Sequence, residues 1–255
     1  MSATLENVRI VLVRTKIAGN IGATARAMAN MGLSDLVLVS PQADPNDRRA
    51  RQRSARAEPL LTSARVADRL KDALTDVHWT VGASRRRGMY REAIEIDPRT
   101  MAADAVARIG EGQRTALLFG PEDNGLDRTE VLACDAVVRI PSHEDYPSLN
   151  LAGAVTVCVY ELFVAAAAAG ATGTATAARP SADDPADGAM MVRLMDKLRD
   201  ALTELGYLRP EHPEHLLSAL RAILSRTELS VAEAQILMGL AQQIQEFARY
   251  GPQRR

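Results

Sequence analysis

Short runs of consecutive apolar residues alternate, over the first two thirds of the chain, with longer stretches whose apolar positions recur every third or fourth residue. The runs at 8–13, 36–39, 77–81, 116–119 and 136–140 are rich in Val, Ile and Leu and predict strands. Their near-continuous apolarity suits strands covered on both faces. Helical spacing is found at 21–32, 60–74, 99–109, 127–133 and 148–168. Strand–helix alternation of this kind predicts an α/β fold with a parallel sheet and helices on both sides.

The pattern then changes. Residues 165–189 are dominated by Ala, Gly and Thr and end in Pro and Asp, which predicts a linker at 166–189 between a 1–165 domain and a 190–255 extension. The extension is helical only. Met191, Leu194, Met195, Leu198, Leu202 and Leu205 share one helical face, which Gly206 ends, and Pro213 opens a second helix with Leu216, Leu217, Leu220, Ile223 and Leu224 inward. Ser230 and Glu233 form a capping box ahead of a third helix, whose inward positions are Ile236, Leu237, Leu240, Ile244 and Phe247. These helices predict a small all-α domain.

Composition adds exclusions. With 255 residues, 47% hydrophobic and 25% charged, the chain is an ordinary globular one rather than a disordered or disulfide-built one. A formal net charge of −1 excludes a uniformly basic nucleic-acid binder, but not a local basic patch. Cys134 and Cys158 are far apart in apolar surroundings, which predicts buried free thiols in a reducing cytosol. The four histidines, His78, His143, His212 and His215, lack metal-ligand spacing, so no metal is expected. The first residues carry no basic segment leading into an apolar run, and 151–178, rich in Ala, Gly and Thr, reads as too weakly apolar for a membrane span. The expectation is a cytoplasmic protein without a membrane partner.

Candidate chemistry lies in loops that follow strands, where open α/β sheets hold ligands. Asn20, Gly22 and Arg26 sit in the first such segment; Asn20 can cap the following helix, Gly22 permits close backbone approach, and Arg26 falls one turn in. Gly120, Glu122 and Gly125 make a tight loop directly after the strand at 116–119. It is no Walker loop, and no dinucleotide fingerprint follows any strand. Ile140 leads into a polar loop ending in Tyr146, Pro147, Ser148, Leu149 and Asn150, with Ser148 a natural cap for the helix at 148–168. Each segment alone can also be read as plain capping or turn structure.

Together the three segments resemble the motifs of the SPOUT-superfamily RNA ribose 2′-O-methyltransferases. These are Asn-x-Gly-x-x-x-Arg (Asn20, Gly22, Arg26), Gly-x-Glu-x-x-Gly (Gly120, Glu122, Gly125) and Ser-Leu-Asn (Ser148 to Asn150), in that order. The likeness is greater to the TrmJ branch, which methylates tRNA at position 32 of the anticodon loop. It extends through Leu36 to Pro41 and into the helical tail at His212 and at 233–241. The resemblance implies a SPOUT sheet with a deep C-terminal trefoil knot and a homodimer with the active site at or near its interface. It implies S-adenosylmethionine as cofactor, held by Ala83, Ser84, Arg85, Gly120, Glu122, Gly125, Ile140, Pro147, Ser148, Leu149 and Asn150. It also implies catalytic roles for Arg26, Ser148 and Asn20. Because guanidinium stays protonated in proteins, Arg26 suits holding a phosphate and stabilising a developing alkoxide better than acting as base. Glu122 is assigned to loop architecture before proton transfer.

RNA binding requires positive charge that the overall balance hides. Arg48, Arg49, Arg51, Arg53 and Arg56 form one cluster, and Arg85, Arg86, Arg87 and Arg91 another. With Arg26, residues Arg86, Arg87, Arg48, Arg49 and Arg51 are the candidate tRNA contacts; a solvated charged surface is the competing reading. Tyr146 could stack on a nucleotide or simply pack, and Trp79 and His78 read as core. Two alternatives remain: the same chemistry on ribosomal RNA or another tRNA site, and a non-catalytic RNA-binding factor. Intact Arg26, Ser148 and Asn150 argue against the second alternative.

Overall fold

A computed structural model describes residues 5–84, 94–146, 148–170, 184–208, 213–225 and 227–251. The chain divides into two compact units, Met1–Ala177 and Ala178–Arg255. The first unit holds a seven-stranded sheet in the order β3-β2-β1-β6-β4-β7-β5, parallel throughout. Strand β1 is Val8–Val13, followed by helix α1, Ala18–Asn30, and β2, Asp35–Val39. Helices α2, Arg48–Ser54, and α3, Glu58–Ser63, precede the short edge strand β3, Arg65–Ala67, and the one-turn α4, Leu70–Ala73. Strands β4, Trp79–Ala83, and β5, Ile94–Ile96, lead to α5, Pro98–Gly110; β6, Thr115–Phe119, α6, Arg128–Leu132, β7, Ala136–Val138, and α7, Leu151–Ala168, complete the unit.

Every residue of β1 and β6 is buried, as their continuous apolar runs require. Alternate side chains feed two aliphatic layers. Ile10, Leu12, Leu117 and Phe119 pack with Ile21, Met28, Met101, Val155 and Leu162 beneath α1, α5 and α7. Val11, Val13, Val37, Ala116 and Leu118 pack with Leu74, Leu126, Val131 and Cys134 on the opposite face. Trp79 is buried, with the Arg108 guanidinium 4.8 Å above its ring, and the His78 Nδ1 accepts the Arg114 N–H at 3.0 Å.

In this unit the sequence reading needs correction at 60–74 and at α7, and strand β5, a three-residue edge strand like β3, is unexpected. The single helix expected at 60–74 is instead α3, β3 and α4, because Ala64 adopts an extended backbone that breaks the helix. Strand β3 escaped notice since three residues, mostly exposed at the sheet edge, carry no periodicity. The second correction concerns α7. By length and composition it could cross a membrane, with a mean hydropathy of 1.9. Its Leu151, Val155, Cys158, Val159 and Leu162, however, are buried in the core beneath the sheet.

In the second unit, α8 is Gly188–Glu204, α9 is Pro213–Ser225 and α10 is Val231–Tyr250. Gly206, at φ +75°, ends α8 as expected, and the Ser230–Glu233 capping box opens α10. The expected inward face of α10 is displaced. Ala234 and Ala241 are fully buried, with Leu237 packed beside the first, while Ile236, Leu240 and Phe247 are more than half exposed. Small residues allow α10 to approach α8 closely, and the bulky ones stand to the side. Ile223 and Leu205 are likewise exposed.

Opposite the strands' carboxyl ends, Arg9 is buried and bonds Asp35 at 2.8 Å, Asp76 at 2.6 Å and the Ala73 carbonyl at 2.7 Å. Arg114 also pairs with Asp76. Desolvation opposes ionisation of Asp76, but the hydrogen bonds and charges of Arg9 and Arg114 outweigh it and hold the carboxyl at about 2. A folded-state value below the unfolded one contributes stability above about pH 4 that is lost as pH falls towards 2. Thermal melts between pH 6 and 2 therefore show an acid-induced drop in Tm, and Asp76→Asn shows a smaller drop from a lower starting Tm.

Candidate functional site

The carboxyl ends of β4, β6 and β7 open into a cavity of about 280 Å³. Register places these ends side by side, with Gly82 opposite Leu118 and Ala83 opposite Val138. The Ser84 N–H extends the pairing by donating to the Val138 carbonyl at 3.1 Å. Ala83, Ser84, Gly120, Glu122, Gly125, Ile140, Ser148 and Leu149 all line the cavity. Phe119, Val138, Leu151 and Ala154 also line it, as do Pro121, Asp123, Asn124 and Leu126. The reading of motifs took in the loop around Gly120 with its neighbours and missed Val138, Leu151 and Ala154. Helical spacing could have found Leu151 and Ala154, which share the first turn of α7 with the motif.

The loop after β6 owes its shape to glycine. A Cβ on Gly120 would lie 2.1 Å from both the Gly125 carbonyl carbon and the Leu126 nitrogen, so no side chain fits there. Gly125 closes the loop at φ +68°, its N–H donating to the Pro121 carbonyl at 2.9 Å. The loop then enters α6 through a capping box between Asp127 and Glu130. Arg14, at the end of β1, pairs with Glu130 and Asp127.

One polar chain joins the three motifs. The Glu122 carboxylate accepts the Lys16 N–H at 3.0 Å, the Ile17 N–H at 3.2 Å and the Asn20 amide at 2.7 Å. The Asn20 carbonyl oxygen accepts the Asn150 amide at 3.1 Å, and the Asn150 oxygen caps α7 by accepting the Ala152 N–H at 3.0 Å. Lys16 adds a bond to Asp123 at 2.6 Å, which holds that carboxyl below its usual range.

Several expectations change in consequence. Asn20 does not cap α1; the cap position is Ile17, which has no side-chain bond, and Glu122 accepts the N–H groups of Ile17 and of Lys16 just ahead of the helix. Ser148 does not cap α7 either; Asn150 does, leaving the exposed Ser148 on the cavity wall. Gly22 does permit a close backbone approach, but the backbone is this chain's own, since a Cβ there would sit 2.0 Å from the Ala50 carbonyl oxygen. Neither Asn20 nor Asn150 lines the cavity; they buttress its wall from behind. Arg26 is exposed on α1 and outside the lining. Tyr146 is 80% exposed. Arg85, Arg86, Arg87, Arg91, Pro147 and His212 lie outside the described residues.

The remaining candidates are inert. Cys134 and Cys158 are buried thiols outside any disulfide, and burial with the nearby Glu161 charge pushes Cys158 up to about 12. Among the described residues, no three His, Cys, Asp or Glu side chains are placed to hold a metal ion.

A parallel sheet whose carboxyl-end cavity is walled by the second and third motifs, with the first bonded to both from outside, is the arrangement of a SpoU-class methylase. Residues 7–160 match the family model described as SpoU rRNA Methylase family, and residues 189–253 match that of the tRNA methyltransferase TrmJ, C-terminal domain. The tRNA (cytidine/uridine/adenosine-2′-O-)-methyltransferase TrmJ of Pseudomonas aeruginosa is 37% identical over 256 residues, 96% of each chain. The tRNA (cytidine/uridine-2′-O-)-methyltransferase TrmJ of Yersinia enterocolitica is 37% identical over 98% of this chain and 95% of its own. The crystal structure of TrmJ from Z. mobilis covers 92% of this chain and 98% of its own, with TM-score 0.78 and 27% identity. This chain belongs to the SpoU methylase family, in its TrmJ branch.

Gly120→Ala tests the cavity directly. With no space for a Cβ, the loop must shift, and titration calorimetry with S-adenosylmethionine shows at least a ten-fold loss of affinity. The control Gly153→Ala, at a helical position where a Cβ meets nothing within 4 Å, leaves binding unchanged.

Proposed function

We propose that this protein transfers a methyl group from S-adenosylmethionine to a ribose 2′-hydroxyl of tRNA, at position 32 of the anticodon loop. The observation that carries this reading is that the second and third motifs wall one cavity, while Asn20 of the first ties them together through Glu122 and Asn150. Its walls fit the cofactor. Phe119, Val138, Ile140, Leu149 and Leu151 supply apolar surface for an adenosyl group, and the backbone of 83–84 and 120–126 supplies hydrogen-bonding groups beside it. When bound, the cofactor supplies a methyl group already activated on a sulfonium.

The chain's own residues then have two tasks, alignment and handling of the hydroxyl proton. Ser148, exposed at the rim, orients the ribose hydroxyl. Arg26 holds a backbone phosphate and stabilises the alkoxide that develops as the proton leaves. Asn20 acts through Glu122 by fixing the loop. Arg26 stands outside the cavity of its own chain, which supports a homodimer in which each site combines two chains. The half-exposed Ile17, Tyr160 and Val164, on the ends and faces of α1 and α7, offer the apolar surface such a pair would cover. The deep trefoil knot belongs to this reading, supported by the all-parallel strand order and by α7 packing against both α1 and α5. So do the helical 190–255 extension as a domain of its own, the 166–189 linker and a cytoplasmic location. RNA contacts are assigned to the basic segment that begins at Arg48 on α2, and to Arg86 and Arg87.

Incubation of the protein with labelled S-adenosylmethionine and unmodified tRNA, followed by nuclease mapping, yields a 2′-O-methyl at position 32. Arg26→Ala lowers transfer by at least a hundred-fold while cofactor affinity is kept. Label confined to ribosomal RNA, or undiminished transfer by folded Arg26→Ala, contradicts the proposal.

A further inference from the structure

The five arginines of the 48–56 segment do not share one surface, and the packing of α2 on α1 separates them. The missing Cβ of Gly22 lets the Ala50 backbone close against α1. One turn earlier on α1, a Cβ on Gly19 would lie 3.7 Å from the Arg53 Cγ, so the Arg53 stem covers Gly19. Gly19 thus opposes Arg53 while Gly22 opposes Ala50, and α2 runs antiparallel to α1. The side of α1 that carries Gly19 and Gly22 carries Arg26 one turn further on, just past the N-terminal end of α2 at Arg48. Arg49 lies one helical turn from Arg53 on the same face of α2.

The nearby acids are otherwise engaged. Asp47 caps α2 by accepting the Arg49 N–H at 2.6 Å, and Glu58 lies 3.8 Å from Arg51. Arg51, two residues from both Arg49 and Arg53, points to a different side and has its counter-charge there. Arg26, Arg49 and Arg53 carry no ion pair among the described residues. Arg53 therefore brings an uncompensated cation to the first turn of α1, one residue from Asn20 and the Glu122 loop.

We infer that Arg53, with Arg49 one turn away, holds RNA backbone phosphates along the α1–α2 seam and so positions the substrate for Arg26. The inference rests on the tRNA methyltransferase reading and selects one face of the basic segment within it. Arg53 is a positioning residue, since it meets the phosphate backbone rather than the reacting atoms. Its signature is that of a phosphate-binding cation: weaker binding across all sequences and a shallower salt dependence, with the chemical step intact.

The test compares steady-state methyl transfer to unmodified tRNA by the parent protein, Arg53→Gln, Arg53→Lys and the Arg49→Gln/Arg53→Gln pair. Arg65→Gln, on edge strand β3 where the guanidinium lies 4.0 Å from Asp35, is the charge-matched control. The expected result is a KM for tRNA raised about ten-fold in the pair and less in Arg53→Gln, with kcat and cofactor affinity kept. The slope of log affinity against log salt falls by about 0.7 for each phosphate that the variant no longer neutralises. Arg53→Lys recovers most of the affinity, and Arg65→Gln matches the parent. Unchanged KM and salt slope in the pair overturn the inference, as does an equal loss in Arg51→Gln. If the parent itself transfers no methyl to any tRNA, the methyltransferase reading fails instead.

Discussion

The Glu122 carboxylate accepts three hydrogen bonds where the chain enters α1, from the backbone N–H groups of Lys16 and Ile17 ahead of the helix and from the Asn20 amide within it. A helix whose cap residue offers no side-chain oxygen has N–H groups in want of an acceptor, and a carboxylate there also meets the positive end of the helix dipole. Bonds to a charged acceptor contribute about 1.5–3 kcal/mol each. Glu122 thus fixes α1 relative to the loop after β6, and Asn20 passes the constraint to Asn150 and α7. The cavity wall, the first turn of α1 and the last core helix keep their spacing through these bonds.

Glycine makes that arrangement possible at two places. At Gly120 the loop folds back so closely that its own backbone fills the position of a Cβ. At Gly22 the same kind of approach brings α2 onto α1, which carries the basic segment to the helix bearing Arg26. In both cases the spacing recognisable in the motif reflects packing within the protein; of the two glycines, Gly120 also lies on the cavity wall and Gly22 does not.

Much of this was legible in the sequence for physical reasons. Strands β1 and β6 are buried on both faces and so read as unbroken apolar runs, and α1, α5 and α7 were found within three residues of their ends. The motif residues Gly120, Glu122, Ile140 and Ser148 are brought to one cavity. What stayed hidden was set by interactions between residues distant in sequence. The capping of α1 by Glu122, more than a hundred residues away, left Asn20 looking like a local cap. The partition of the arginines depends on where α2 packs, and helix α2 itself, polar apart from Ala50, shows no apolar periodicity. On α10 the pattern marked bulky apolar residues as inward, while the close approach to α8 uses alanines.

Calorimetric titration of S-adenosylmethionine into the parent, Asn20→Ala, Glu122→Gln and the double variant tests the central role of the Glu122–Asn20 bond most directly. Asn20 does not touch the cavity, so its effect on cofactor affinity must pass through the loop or α7. The expected result is a several-fold loss in Asn20→Ala that adds little in the Glu122→Gln background, a coupling of about 1 kcal/mol or more. Unchanged affinity in Asn20→Ala, or losses that simply add, would contradict the account.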